Sequence, residues 1–216
     1  MRHSVGLRVV NVGLPAYLGM HRGNPVTSGI AKRPVTTAEL WLSSTGLEGD
    51  GVADLEDHGG RDKAVYAYPS EHLPAWALEL EEPDLGPAPF GENLSTAGWT
   101  EHEVRIGDRW RWGDAVLEVD QPRWPCFKLA IHRGRGDIGG RLRVAGRTGW
   151  YLRVLEAGAV PVAGPIGVIE RHAAGLSVHA AHQAARPGHS SPEAVEQLLA
   201  VPALSAEWRG MLTRRL

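Results

Sequence analysis

Glycine and proline interrupt this chain so often that they leave little room for long helices. The 216 residues include 27 glycines and 15 prolines. Together they lie well above the roughly 12% of an average protein and below the roughly 25–30% of low-complexity sequence. Both residue types end helices and strands, so the elements between them are short, which favours a β-rich architecture. With 43% hydrophobic residues, the chain still has enough apolar side chains for a folded core.

The hydrophobic pattern divides the chain into two regions. Short strand patterns recur through the first region, and the clearest is a hairpin around the turn Gly113-Asp114. In the second region, capping signals at Ser190-Ser191-Pro192-Glu193 and at Ser205 precede apolar residues at helical spacing. We therefore predict a β-rich domain over residues 1–172 and a small bundle of three helices over residues 173–216. We expect the apolar stripe of the last helix to pack on the first domain.

Two glycine-containing segments are predicted to be loops, namely residues 17–28 and 134–140. The second contains Gly134-Arg-Gly-Asp-Ile-Gly139, which literally matches a dinucleotide-binding pattern. That pattern also needs a strand before it, a helix after it and an acidic residue about 20 positions further on. The glycines within residues 144–149 interrupt such a helix, so we assign no nicotinamide site.

The charge balance excludes a protein that coats nucleic acid. Lys plus Arg number 23 and Asp plus Glu number 25, which leaves a formal net charge of −2. The total hides an acidic stretch, residues 48–92, and a basic stretch, residues 101–153. The basic stretch is either a solvated face or a site for a phosphorylated small molecule. Only three basic residues are lysines, and each lies in a distinctive segment: Lys32, Lys63 and Lys128.

The single cysteine, Cys126, excludes several kinds of site. One thiol forms neither an intrachain disulfide nor a cysteine-rich zinc site nor an iron–sulfur cluster. This cysteine usage is typical of an intracellular protein. No apolar stretch approaches the roughly 18 residues of a membrane span, and the first residues break their apolar run early. We expect a cytoplasmic protein that does not bind membranes.

The residues that flank Cys126 favour a reactive thiol. A lone cysteine is usually a small buried hydrophobe. Here Pro122 and Pro125 stiffen the loop, while Arg123 and Lys128 place positive charge on both sides, which favours the thiolate. A thiolate attacks electrophiles or binds a soft metal. A cysteine protease stays open as an alternative, although no segment marks one of the ten histidines as its base.

Three further segments carry polar side chains with more than one interpretation. His58-Gly-Gly-Arg-Asp-Lys63 is either a surface turn or an anion-binding loop. The pair Lys32-Arg33 precedes Pro34, and paired bases are common on loops. Asn93 caps a turn or faces a ligand. Trp124, next to the cysteine, is a candidate wall of a substrate pocket.

Several of these segments, taken in their order along the chain, closely resemble the YiiM-like branch of the MOSC family, the molybdenum cofactor sulfurase C-terminal domain proteins. The terminal helices resemble the three-helix domain that follows MOSC in this branch. The resemblance runs from about Lys32 to Arg153, and the segments that carry it are residues 58–72, 90–94, 106–108, 121–129 and 147–151.

The resemblance implies a closed or partly closed β-barrel that holds a molybdopterin-type molybdenum cofactor, with a cysteine thiolate on the metal. Cys126 matches that metal ligand and is a predicted catalytic residue, together with His58 and Asp62 as candidate proton donors. Pyridoxal phosphate is not expected. The residues implied to clamp the cofactor are Lys32, Arg33, Lys63, Asn93, Arg123, Lys128 and Arg147.

Relatives in this branch, like the mitochondrial amidoxime-reducing component, reduce N-hydroxylated compounds such as hydroxylaminopurines. The resemblance therefore implies a detoxifying oxidoreductase that converts N–OH groups to N–H. With one cysteine the chain holds no iron–sulfur relay, so a separate reductase would supply electrons. Two alternatives stay open: a sulfur carrier with a Cys126 persulfide, and a protein that binds or stores the cofactor without catalysis. Assembly as a homodimer also stays open.

Overall fold

The computed structural model describes residues 4–54, 59–173, 175–189 and 191–214. Within these ranges no helix is long and apolar enough to cross a membrane. Thirteen strands are described, and their bounds are β1 Ser4–Val12, β2 Ala16–His21, β3 Asn24–Ser28, β4 Arg33–Pro34, β5 Glu39–Ser43, β6 Gly46–Leu47, β7 Val65–Pro69, β8 Leu94–Ala97, β9 Arg109–Trp112, β10 Ala115–Pro122, β11 Trp150–Glu156, β12 Gly158–Pro161 and β13 Gly164–Glu170.

Seven of these strands close into a β-barrel. The sheet runs in the order β13-β9-β10-β11-β7-β8-β1, and β1 pairs back with β13. All neighbours are antiparallel except β7 and β8, which are parallel. Closure leaves no unpaired sheet edge among the seven strands, so their inward side chains form a packed core. Strand β10 is buried over its whole length because both of its neighbours and the terminal helices cover it.

Two smaller sheets lie beside the barrel. Strands β12, β5 and β6 form one of them, and β2 and β3 form a hairpin. The hairpin turns at Arg22 and Gly23, whose φ values are 50° and 82°. Two successive positive φ angles match the twist of antiparallel strands. The prediction of a loop over residues 17–28 is therefore wrong: the segment pairs with itself although much of it is exposed.

Three helices of the first region pack around the outside of the barrel. Helix α3 starts inside residues 134–140, which we predicted to be a loop, because Ile138 and Leu142 bury one helical face against an aromatic cluster that includes Tyr66 and Trp76. The described residues form six α-helices: α1 Leu73–Leu80, α2 Phe127–Arg133, α3 Ile138–Ala145, α4 Val178–Ala184, α5 Pro192–Leu199 and α6 Ala206–Thr213.

Helices α4, α5 and α6 are attached to the barrel by a shared core. Trp208 and Leu212 of α6 are buried and belong to the same hydrophobic cluster as barrel residues such as Trp110. The Ser205 hydroxyl accepts a hydrogen bond from the Trp208 amide at 3.2 Å, and the Ser191 hydroxyl caps α5 in the same way. The predicted architecture, a β-barrel followed by three helices, is confirmed.

Candidate functional site

One cavity gathers most of the cationic residues that the sequence singles out around the cysteine. Its walls come from the segment before β4, from the 3-10 turn Arg61–Lys63, from β7 and β11, and from the loop between β10 and α2. The predicted site residues that line it are Lys32, Lys63, Asn93, Arg123, Cys126 and Lys128. Aromatic walls are supplied by Tyr66, Trp124 and Tyr151.

Cys126 lies at the junction between β10 and α2. It occupies the position before the first residue of α2, with extended backbone (φ −109°, ψ 175°), and it is half-buried. Strand β10 ends at Pro122, whose ring removes an amide donor and helps end the ladder there. The local sequence thus directs the thiol from a rigid strand end into the cavity.

Arg123 is the most deeply buried cation of the cavity. Its guanidinium carbon lies 4.9 Å from the centroid of the Tyr66 ring. Burial alone lowers the pKa of Arg123, but electrostatic interactions with Tyr66, Tyr151 and Cys126 outweigh it and raise that pKa above its usual value. The buried Nη1 of Arg123 has no hydrogen-bond partner in the described structure. An orphaned charged donor of this kind calls for an acceptor that a bound anion supplies.

Lys32 and Asn93 are held in place by Asp50, a residue that the sequence analysis missed. The Lys32 ammonium forms a buried ion pair with Asp50 Oδ1, which also accepts from the Gly13 amide at 2.8 Å. Asn93 Nδ2 donates to Asp50 Oδ2 at 2.9 Å. Burial lowers the pKa of Lys32, and the Asp50 carboxylate opposes that shift. A lone aspartate in an acidic stretch carries no sequence signal that distinguishes it from its neighbours.

The side chain of Asn93 is satisfied within the protein. Its Oδ1 accepts from the Tyr66 amide at 3.1 Å, and its Nδ2 donates to the Asn11 carbonyl at 3.2 Å in addition to Asp50. Asn93 therefore ties β1 and β7 together at the cavity wall. Its contribution to the site is to position neighbouring groups.

The two remaining lysines of the cavity each pair with an acidic side chain. Lys63 Nζ lies 2.5 Å from Glu207 Oε2 on helix α6, and Lys128 Nζ lies 3.2 Å from Asp54 Oδ2. Both lysines are nearly buried, whereas Glu207 is 58% exposed. The acidic partners keep the cations in place and lower the net positive charge that a ligand meets.

Three predicted site residues lie outside the cavity lining. Arg33 is exposed on β4, whereas its neighbour Lys32 is buried and lines the cavity. Arg147 stacks 4.0 Å from the Trp76 ring centroid and pairs with Glu79 at 2.6 Å. Asp62 pairs with Arg153 at 3.2 Å, on the side of the turn that faces helix α6. His58 lies outside the described residues.

The sequence analysis also missed the two tyrosines of the cavity, Tyr66 and Tyr151. The Tyr66 hydroxyl donates to the Thr148 carbonyl at 2.9 Å. Burial raises the pKa of both phenols, while Arg123 opposes the shift. They are therefore neutral hydroxyl groups at physiological pH. In the sequence they look like ordinary core residues of two buried strands.

The donor set of the cavity fits an anionic cofactor that carries a soft metal. A half-buried thiol is the single soft ligand, and lysine and arginine side chains beside it suit phosphate and other oxyanion groups. The orphaned Nη1 of Arg123 gives such an anion a specific partner. The cavity thus combines a metal-ligating atom with anion-binding groups.

Comparison with known proteins decides the family. The sequence model of the MOSC domain matches residues 54–166, and that of the YiiM-like 3-alpha helix domain matches residues 178–216. The chain belongs to the MOSC family. The family takes its name from the C-terminal domain of molybdenum cofactor sulfurase.

Relatives of this MOSC protein match over most of its length. Bacillus subtilis YflK is 41% identical over 206 residues, 95% of this chain and 92% of the relative. Escherichia coli protein YiiM is 41% identical over 192 residues, 88% and 85% of the two chains. The crystal structure of YiiM from Geobacillus stearothermophilus covers 98% of this chain and 99% of its own, with a TM-score of 0.82 and 32% identity.

A longer relative of this MOSC protein has a functional name. A Gibberella moniliformis protein called "Reductase" is 39% identical over 152 residues. The match spans 69% of this chain but 27% of the fungal protein. The MOSC family thus includes a member named for reduction.

Proposed function

We propose that this MOSC protein is a molybdenum-cofactor-dependent reductase that converts N-hydroxylated compounds to the corresponding N–H compounds. One observation carries the proposal: the cavity that Cys126 lines is also lined by Arg123, whose buried Nη1 has no hydrogen-bond partner in the described structure. A soft metal ligand beside a buried anion-binding donor is what a metal-bearing phosphorylated cofactor requires. The relative named "Reductase" supports the reaction class.

The proposed roles follow from the positions of the side chains. Cys126 is the thiolate ligand of the metal, and Arg123 binds an anionic oxygen of the cofactor through Nη1. Lys32 and Lys128 add positive charge from two other walls of the cavity. A bound cofactor of this kind would supply two-electron reduction and oxygen-accepting chemistry. Asp50 and Asn93 position Lys32 without contact to the reacting atoms.

The overall reaction consumes two electrons and two protons per N–OH group and yields one N–H group and one water. Tyr151 lines the cavity with a phenol that stays protonated because its burial raises its pKa. It is therefore a second candidate for holding a proton near the substrate, besides His58. Asp62 is a poorer candidate because Arg153 and the start of α6 engage it. Electrons come from a separate reductase.

The test compares variants that remove the thiol or the buried cation with one that removes a cation elsewhere. The protein is purified from a molybdenum-replete host, and molybdenum, pterin and reduction of an N-hydroxylated aromatic compound are measured. We expect Cys126→Ser and Arg123→Gln to lose most activity and much of the bound cofactor. Arg33→Gln, which removes a positive charge outside the cavity, retains both.

The outcomes also separate the alternatives. Wild-type protein free of cofactor from a competent host rules out the reductase. Bound cofactor without reduction by any electron donor leaves a storage protein. A persulfide on Cys126 in metal-free protein indicates a sulfur carrier.

A further inference from the structure

A second cavity, of about 290 Å³, also has Cys126 in its lining. It shares Cys126, Lys63, Trp124 and Tyr151 with the cofactor cavity. Helix α6 of the terminal region supplies its outer wall through Glu207 and Trp208. Its volume is just below the roughly 300–1,000 Å³ of typical small-molecule pockets. We refer to it below as the α6 chamber.

The α6 wall is a fixed part of the fold. The amide of Ser205 donates to the Asp120 carbonyl at 3.2 Å, and the Ser205 hydroxyl bonds to the buried side chain of Gln121 on β10. Trp208 is 2% exposed, and its ring meets that of Trp124 edge to face at 6.1 Å. The chamber is therefore preformed, and its shape depends on barrel and helix together.

The surfaces of the α6 chamber are suited to a flat, uncharged ring. Trp124, Tyr151 and Phe127 contribute aromatic side chains, and Gln121 contributes a neutral polar one. Aromatic walls favour stacked or edge-on contacts with planar ligands. The cofactor-cavity cations Lys32, Arg123 and Lys128 do not line this chamber. Its one cation among the described lining residues is Lys63, which both cavities share.

Among the described residues that line the α6 chamber, Lys63 and Glu207 are the charged ones. Lys63 is 13% exposed, whereas Glu207 is 58% exposed, so a molecule approaching from solvent meets the carboxylate first. The carboxylate also offsets the Lys63 charge at 2.5 Å. An anionic molecule gains nothing from the pair and is repelled by its outer member.

We infer that the α6 chamber is the substrate subsite and that Glu207 selects uncharged N-hydroxylated aromatic compounds over anionic ones. The inference rests on the proposed reductase function and adds a specificity determinant from the terminal helical region. Free bases and other neutral rings are then substrates, while the same rings bearing a phosphate or carboxylate are excluded. Glu207 acts on binding and takes no part in the chemistry.

The test measures binding directly. Equilibrium dialysis of the full chain, as purified from a molybdenum-replete host, gives dissociation constants for benzamidoxime and for 4-carboxybenzamidoxime, which adds one negative charge. We expect Glu207→Gln to leave binding of the neutral probe within about twofold and to tighten binding of the charged probe about 3- to 10-fold, because the exposed carboxylate no longer repels it. Glu207→Arg tightens it further.

Glu196→Gln is the matched control, because it removes one exposed carboxylate from α5 without touching the chamber. It leaves both dissociation constants unchanged. Charged-probe binding that is the same in wild type, Glu207→Gln and Glu207→Arg overturns the inference, as does absence of saturable binding of benzamidoxime to the wild type. Thermal melts confirm that the variants fold. Cofactor content and reduction are measured separately, so a failed reductase and a failed selectivity are distinguishable.

Discussion

At the scale of single residues, the site depends on buried charges that are held by other buried charges. Asp50 is the clearest case, because its two oxygens accept from the Gly13 amide, the Lys32 ammonium and the Asn93 amide. A carboxylate supplies acceptors on both oxygens, whereas an amide supplies only one oxygen. The charge on Asp50 and its acceptor geometry are both needed.

The first prediction is that Asp50→Asn destabilises the protein by about 2–4 kcal/mol. The variant leaves the buried Lys32 cation without a charged partner and turns one acceptor into a donor that faces Asn93 Nδ2. Urea unfolding of the cofactor-free protein measures the change. Glu170→Gln is the control, since it breaks an exposed pair with Arg109 and costs at most about 1 kcal/mol. Equal effects for the two variants contradict the argument.

The sequence identified Cys126 and its charged neighbours from one short segment and, through the family resemblance, Lys32, Lys63 and Asn93 from segments far apart in the chain. Cys126, Arg123 and Lys128 lie in one short segment, so their charges and thiol were visible as a unit. Asp50 and Tyr151 reach the same cavity from remote segments and have no local signal. The roles of all these residues in binding a cofactor stay predictions.

At the scale of elements, capping decides where the terminal helices begin and how α6 meets the barrel. Ser205 caps α6 and also bonds to Gln121 of β10, while Ser191 caps α5 at the surface. The Ser205 hydroxyl therefore caps a helix and also bonds that helix to the barrel, whereas the Ser191 hydroxyl only caps a helix. The difference gives a matched pair of substitutions.

The second prediction is that Ser205→Ala costs more stability than Ser191→Ala. Loss of the α5 cap costs about 1 kcal/mol. Loss of Ser205 also leaves the buried oxygen of Gln121 without its donor, which adds about 1–2 kcal/mol. Urea denaturation of both variants measures the two values. If they agree within error, the bond between α6 and the barrel contributes nothing.

Local patterns predicted elements where side-chain periodicity was strong and failed where long-range packing decided. The hairpin around Gly113 and the start of α6 follow from turn and cap residues. Helix α3 follows a glycine-rich stretch, and burial of Ile138 and Leu142 stabilises it. That burial depends on strands far away in sequence, so no local pattern reveals it.

At the scale of the whole molecule, a cluster of carboxylates lies where the barrel meets the terminal helices. Arg153 lies near Asp120 at 3.4 Å, Asp62 at 3.2 Å and Glu118 at 3.7 Å, and it donates to the Ala203 carbonyl. One guanidinium thus serves three acidic groups. Burial raises the pKa of Asp120 well above its usual range, although Arg153 opposes the shift.

The third prediction concerns pH. The folded protein holds the Asp120 proton more tightly than the unfolded chain, so this group's contribution to stability decreases as pH rises from about 4 towards the raised pKa. We expect Asp120→Asn to remove that decrease, which amounts to at most about 1.4 kcal/mol per pH unit. Urea unfolding at pH 5, 6 and 7 measures the free energies.

Asp114→Asn, at the exposed hairpin turn, is the control and keeps the wild-type pH dependence. A pH dependence of Asp120→Asn that parallels the wild type shows that Asp120 does not carry a shifted proton. Arg153, Asp62 and Glu118 are kept in both variants.

The sequence by itself determined the β-rich class, the terminal helices, the family and the single thiol at the end of β10. These features depend on composition, short-range spacing and motifs that neighbouring residues form together. The tertiary structure decided which cations face the thiol, because a buried ion pair with Asp50 holds Lys32 at the cavity while Arg33 stays exposed. It also decided that α6 completes a second cavity beside Cys126, because Glu207 meets Lys63 only after barrel and helices share one core.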